Sequence, residues 1–249
     1  MRIPDGYTAA PDLLAGRVIL VTGAGDGIGA AVAHAFAVHG AAVVLLGRTV
    51  SKLETVYDRI VAAGAPQPAI YPLDLEGAGP AHYDELAERI ASELGRLDGL
   101  LHNAGRLGVL APLEHYDAEE WLRVVQVNLN APFLLTRACL PLLSQAPSAS
   151  LVFTSSGVGR RGRAYWGAYS ASKFAVEGLM QVLADELGES TRVRVNSINP
   201  GRVRTTMRAV AYPAENPQSL PAPSDIVPAY LYLMGDDSLG VNGKALDAQ

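Results

Sequence analysis

Short β-branched runs alternate with longer Ala-rich stretches along almost the whole chain, and this alternation leaves few folds open. Arg17 to Val21 (RVILV), Val43 to Leu46, Ala69 to Leu73, Leu97 to Leu101, Ser150 to Thr154 (SLVFT) and Val193 to Ile198 each read as a buried strand. Lys244 to Leu246 reads as a short last one. Between them lie stretches with helical spacing. Gly27 to His39 carries Ile28, Val32, Ala35 and Phe36 on one face, and Thr49 or Ser51 can cap a helix running through Ile60. His82 to Glu93, Asp117 to Leu143 (with Asp117 as N-cap), Tyr165 to Leu187 and Ser224 to Met234 follow. Strands separated by helices pair in parallel through crossovers, which cover both faces of the sheet. The expected fold is therefore α/β: three layers around a doubly wound parallel sheet of about seven strands.

No internal repeat or low-complexity linker interrupts this pattern, so residues 1–249 are expected to form a single domain. The one irregular region, residues 202–223, holds Pro213, Pro217, Pro221 and Pro223. A segment that long in a compact domain is expected to serve as a substrate loop.

Composition removes several classes of function. The net charge of −5, with Arg and Lys scattered, gives no face for nucleic acid. Cys139 is the only cysteine, so no intramolecular disulfide or cysteine metal cluster can form. His34, His39, His82, His102 and His115 have no metal-ligand spacing, and no metal is expected. Pro4, Asp5, Gly6, Pro11 and Asp12 break any signal-peptide core, and no apolar run approaches the ~18 residues that span a bilayer. A soluble, cytoplasmic protein is the expectation.

Two motifs carry chemistry. Thr22-Gly23-Ala24-Gly25-Asp26-Gly27-Ile28-Gly29 lies between the first strand and the first helix. Gly23 lets the chain turn sharply, Gly27 lets a phosphate approach the backbone, and Gly29 lets helix and strand pack closely. The helix N-terminus then offers free N–H groups to a pyrophosphate. An ordinary glycine-rich turn would look the same in isolation; its position on the first βα unit favours a dinucleotide. The second motif is Tyr169 and Lys173, four apart on one helix face. With ten tyrosines and only three lysines in the chain, about 0.1 such pairs arise by chance. An ammonium beside a phenol favours phenolate, and a tyrosine so tuned can exchange a proton with an alcohol or carbonyl oxygen. Ser155 and Ser156 end the fifth strand, at the edge where a parallel sheet binds its ligands.

Taken together these residues resemble the short-chain dehydrogenase/reductase family, of the single-domain Rossmann type, from Arg17 to the C-terminus. The glycine motif falls on Thr22 to Gly29, and the NNAG segment on His102-Asn103-Ala104-Gly105. The active-site asparagine falls on Asn128, the serine on Ser156 rather than Ser155, the tyrosine and lysine on Tyr169 and Lys173, and the PG segment on Pro200-Gly201, followed by Thr205. FTSSGVGRRGRAYWGAYSASKFA and LMGDD point further to one bacterial branch of the family. Two positions depart from the pattern: His102 replaces an asparagine, and Asp26 stands where many NADP-binding relatives carry Lys or Arg.

The resemblance implies an NAD(P)-dependent oxidoreductase that moves a hydride between nicotinamide and a small alcohol or carbonyl. Gly23, Gly25, Asp26, Gly27, Ile28 and Gly29 would meet the pyrophosphate, and Asp74 and Leu75 the adenine. Asn103, Ala104 and Gly105 would line the adenosine side and the nicotinamide ribose; Pro200, Gly201 and Thr205 would hold the carboxamide end. Tyr169 would act as acid and base, with Lys173 holding its pKa low and bonding the ribose. Ser156 would polarise the substrate oxygen, and Asn128 would support a water relay behind Lys173. Relatives commonly pair through two long helices, which implies a homodimer or homotetramer here, with Trp121, Val125, Leu129, Phe174, Leu179 and Met180 as candidate outward apolar residues.

NADP is expected over NAD. The acid that selects NAD stands at the end of the second strand, and Gly47 occupies that place, followed by Arg48, Thr49 and Ser51. The Arg48 guanidinium can stack on adenine and bond a 2′-phosphate, while Asp26 weighs the other way. Arg160, Arg161 and Arg163 follow the serine, and Arg202, Arg204 and Arg208 follow the PG segment. If several point inward they suit an anionic substrate; otherwise they are solvated or at a subunit contact. A cofactor-binding regulator or scaffold with little turnover is the alternative reading, and the intact Asn128, Ser156, Tyr169 and Lys173 set argues against it. A sugar-nucleotide epimerase would carry an extra C-terminal substrate region and a different glycine spacing.

Overall fold

Strands β1 (Val18–Thr22), β2 (Ala42–Gly47), β3 (Ala69–Pro72), β4 (Gly99–His102), β5 (Ala149–Thr154), β6 (Val193–Asn199) and β7 (Ala245–Asp247) make up one sheet of a computed structural model that describes residues 1–249. All pairings are parallel, in the order β3-β2-β1-β4-β5-β6-β7. Successive residues of a strand point to opposite faces, and β1 is buried at all five positions. Ile19 and Val21 pack with Phe36 of helix α1 (Gly27–Val38), Leu53 and Ile60 of α2 (Val50–Ala62), and Tyr230 and Leu233 of α8 (Val227–Met234). Val18 and Leu20 pack with Tyr83 and Leu86 of α3 (Pro80–Leu94), Leu135 and Cys139 of α5 (Ala131–Gln145), and Val176 and Met180 of α6 (Gly167–Gly188). This is the three-layer, doubly wound arrangement expected of β-branched runs buried on both faces.

The order reverses between β1 and β4, and their carboxyl ends open a crevice, the usual ligand position of such sheets. The opposite ends are closed by polar side chains. Asp98, 1% exposed, accepts the Val18 N–H at 2.9 Å and a two-pronged contact from Arg96 at 2.8 and 2.6 Å. Buried Arg194 donates to the Leu233 and Gly235 carbonyls at 3.1 and 3.0 Å, supplying partners that the last turn of α8 lacks.

Several expectations are corrected. Asp117 to Leu143 is not one uniform helix: α4 (Ala118–Val125) passes through a π-helical turn, Gln126–Asn130, into α5. Pro132 has no N–H to offer the Asn128 carbonyl, so a regular helical ladder breaks there. Asp117 does cap α4, accepting the Glu120 N–H at 2.7 Å. Thr49 holds the N-cap position of α2 without a side-chain hydrogen bond. Tyr165 lies outside α6 with φ at +73°. Residues 202–223 are less irregular than expected: α7 (Thr206–Ala211) and a 3-10 turn, Pro217–Ser219, lie within them. Met180, expected on an outward face, is 1% exposed in the core, whereas Phe174 is 45% exposed. No helix is long and apolar enough to cross a membrane.

Candidate active site

The crevice is a cleft of about 570 Å³ that runs from the glycine turn to Tyr169. At one end, Asp26 caps α1 by accepting the Gly27 N–H at 2.7 Å. Gly23 has φ at +67°, and a Cβ there would stand 2.9 Å from Ala104 Cα. A Cβ on Gly29 would overlap the Gly23 carbonyl oxygen. These two glycines keep the turn shut against the loop after β4, so the N–H groups of α1 face an open cradle, a fit for a pyrophosphate. Gly25, Asp26, Gly27, Ile28, Arg48, Asp74, Leu75, Asn103, Ala104, Gly105, Pro200, Gly201 and Thr205 line the same cleft. Gly29 does not line it; it acts through packing.

Lining is not always contact through a side chain. The Asn103 amide donates to the Thr22 and Gly23 carbonyls at 3.2 and 3.5 Å, and the Asn103 and Ala104 N–H groups both donate to Thr22 Oγ1 at 3.0 Å. Asn103 thus braces the glycine turn against β4. Thr205 accepts the Arg208 N–H at 3.1 Å and caps α7, so its hydroxyl already has one partner. Its methyl faces Gly27, with Cγ2 3.4 Å from where a Cβ would stand. Asp74 accepts the Glu76 N–H at 3.1 Å. His102 sits beneath, 5% exposed, stacked on Phe153 and 2.8 Å from Thr136 Oγ1.

At the other end, β5 delivers Ser155 and Ser156 and one face of α6 delivers Tyr169 and Lys173. Lys173, 4% exposed, donates to the Thr154 carbonyl at 2.7 Å, and its Nζ lies 5.7 Å from the centre of the Tyr169 ring. Burial sets the acidities. It pushes the Lys173 ammonium down to about 8, with Glu177 opposing, and pushes the Tyr169 phenol up to about 12, with the Ser156 hydroxyl opposing. In the chain by itself, loss of water outweighs the Ser156 hydroxyl and holds the phenol above its ordinary value.

Asn128 is 1% exposed in the π turn. It does not line the cleft; its Oδ1 accepts the Arg106 N–H at 2.7 Å and its Nδ2 donates to the Arg106 carbonyl and Ser172 Oγ at 2.9 and 3.0 Å. Both ends of its amide clamp the segment after Gly105 against α6.

Sequence reasoning passed over three groups. Ser155, set aside in favour of Ser156, is 1% exposed with a hydroxyl that has no hydrogen-bond partner. Arg106 lines the cleft and pairs with Glu120 at 2.8 and 2.7 Å and Glu76 at 3.1 Å; only its place directly after the NAG segment signals it. Trp166 stands edge-on to Tyr169, 5.8 Å between ring centres, and against Tyr212. Of the arginines considered for an anionic substrate, only Arg208 lines the cleft. It is spent on Glu215 at 2.6 and 2.7 Å and on the face of Tyr212. Arg160 pairs with Glu177 and Asp247, and Arg163 with Tyr212. No three His, Cys, Asp or Glu side chains converge in metal-holding geometry.

Residues 17–216 match the family model described as short chain dehydrogenase. The chain is 54% identical to the "Uncharacterized oxidoreductase YciK" of Escherichia coli (strain K12), covering 98% of this chain and 96% of that protein. A solved short chain dehydrogenase from Pseudomonas syringae is 62% identical and superposes with a TM-score of 0.96, covering 98% of both chains. A solved short chain dehydrogenase from Escherichia coli CFT073, complexed with NADPH, is 55% identical with a TM-score of 0.93, covering 96% of this chain and 99% of that one.

Proposed function

Because the chain belongs to the short-chain dehydrogenase family, we propose that it uses NADP(H) to interconvert a small alcohol and its carbonyl compound, with Tyr169 as acid and base. The observation that carries this reading is convergence: Ser156, Tyr169 and Lys173 line one end of the cleft whose other end is the glycine cradle. When bound, the nicotinamide supplies or accepts the hydride. The protein's own groups do the rest. Tyr169 gives its proton to the carbonyl oxygen, or takes it in the reverse direction, and Ser156 donates a second hydrogen bond to that oxygen. A protonated Lys173 offsets the cost of phenolate in a dry site. Asn128 acts one layer back, and Asn103, on the cleft wall, braces the glycine turn. Gly47 and Arg48 support NADP over NAD, and the NADPH-bound relative supports it independently.

The test is Tyr169→Phe. Screened against carbonyls with NADPH, the variant should lose roughly 10²–10⁴-fold in turnover, while NADPH titrated by fluorescence binds nearly as before. Full turnover in the variant defeats the role of Tyr169. We also read the protein as one cytoplasmic domain that works as a homodimer or homotetramer. Leu122 on α4, Phe133 on α5, and Phe174 and Val182 on α6 are 45–65% exposed, and such a set of apolar side chains suits an interface between copies.

A further inference from the structure

Arg48 is not the only cation at the adenosine end of the cleft. Lys52, in the first turn of α2, lines it too, and its ammonium lies 2.6 Å from Asp26 Oδ2. Its stem crosses the glycine turn: a Cβ on Gly25 would stand 3.0 Å from Lys52 Cβ. Asp26 is therefore shared between two duties. One carboxylate oxygen caps α1 through the Gly27 N–H, and the other holds Lys52. The two side chains are 54% and 52% exposed. An ion pair so open to water is weak and readily rearranged. Arg48 is exposed and takes part in none of the protein's ion pairs.

We propose that Lys52 is a specificity-determining residue: it neutralises Asp26 at the mouth of the glycine turn and, together with Arg48, forms a two-cation seat for the 2′-phosphate. This rests on the NADP reading above and accounts for its awkward feature, an acid where a base would serve better. Asp26 positions Lys52 beside the turn. When the phosphate arrives, Lys52 moves from a carboxylate to a dianion without crossing the cleft. The side-chain hydrogen bond from Lys52 also keeps the Asp26 carboxyl below its ordinary range, so its charge is present throughout the neutral range. Removing Lys52 subtracts one attraction for the 2′-phosphate and exposes one repulsion. NADH, which has no phosphate there, meets neither.

Direct titration of the purified protein with NADPH and with NADH, without substrate, tests this. Wild type should prefer NADPH. Lys52→Ala should weaken NADPH binding about tenfold or more and leave NADH within about twofold. Lys52→Arg should keep the preference, and Asp26→Asn added to Lys52→Ala should restore part of the lost affinity. Lys52 is on an exposed helix face, and unchanged melting of the variant shows that the fold is intact. A wild type that binds NADH as tightly as NADPH defeats the NADP reading and this inference with it. A wild type that prefers NADPH, with the preference unchanged by Lys52→Ala or with both cofactors weakened alike, overturns the role of Lys52 alone.

Discussion

His102 should make the protein acid-labile, and one substitution should remove the effect. The ring is 5% exposed, stacked on Phe153 with 4.8 Å between centres, and bonded to Thr136. Burial first, and the charge of Lys173 second, hold its imidazole down at about 3. In the unfolded chain a histidine titrates near ~6.5. Between those values the unfolded state binds a proton that the folded state refuses, so stability is full above the unfolded value and is lost as pH falls toward the folded one. From pH 7 to pH 5 only about 1.5 pH units lie below the unfolded value, and at ~1.36 kcal/mol per unit the loss is about 2 kcal/mol. Carboxylates add their own acid sensitivity, so the quantity to read is a difference between proteins. Urea unfolding of wild type and His102→Asn at both pH values supplies it. Loss of the aromatic stack in the variant costs the same at either pH and cancels. Wild type should lose about 2 kcal/mol more than the variant on acidification. Equal losses would refute the idea that the imidazole is held neutral.

Lys173 gives a second pH signature: its buried ammonium, pushed down to about 8, costs about 3 kcal/mol below that value relative to a neutral group. Lys173→Met gives back about 1 by stranding the Thr154 carbonyl, so in urea at pH 7 it should be more stable by about 2 kcal/mol while inactive. Wild type should gain stability between pH 8 and the unfolded value near ~10.4, whereas the variant should not; matching slopes contradict this. Gly29→Ala should cost more than about 2 kcal/mol in a thermal or urea melt and abolish cofactor binding, because its Cβ meets the Gly23 carbonyl; a variant with normal melting would dismiss the packing account. Leu122→Glu combined with Phe174→Glu should lower the light-scattering mass to that of one chain, and an unchanged mass would remove α4 and α6 from the interface.

What was legible in the sequence was whatever depends on neighbours along the chain. The run Arg17 to Val21 reads as a buried strand, and Tyr169 and Lys173 had to share a face once their segment was helical. What escaped depends on neighbours across space. The Asn103 and Asn128 amides each bond to main chain tens of residues away, Thr22 for the one and Arg106 for the other. Lys52 reads as one more surface lysine until Asp26, on another element, is brought beside it. A charge four residues from Tyr169 can be read along the chain, but the burial that pushes its phenol up comes from elements packed around it in space. The π turn left a single local trace, Pro132, because its apolar spacing differs little from that of a regular helix.

The position of β1 in the sheet has a consequence for how the chain is made. It lies between β2 and β4. Its β2 side can close soon after α1 forms, but the other side must wait: the Val18 N–H ends on Asp98, 80 residues further on. At ~5–20 residues per second a ribosome needs roughly 4–16 s to deliver that partner. Through that interval one edge of a strand that the native fold buries at every position stands open to any other nascent chain. The growing protein is therefore most exposed to mispairing before β4 emerges, when none of the catalytic side chains has yet been synthesised.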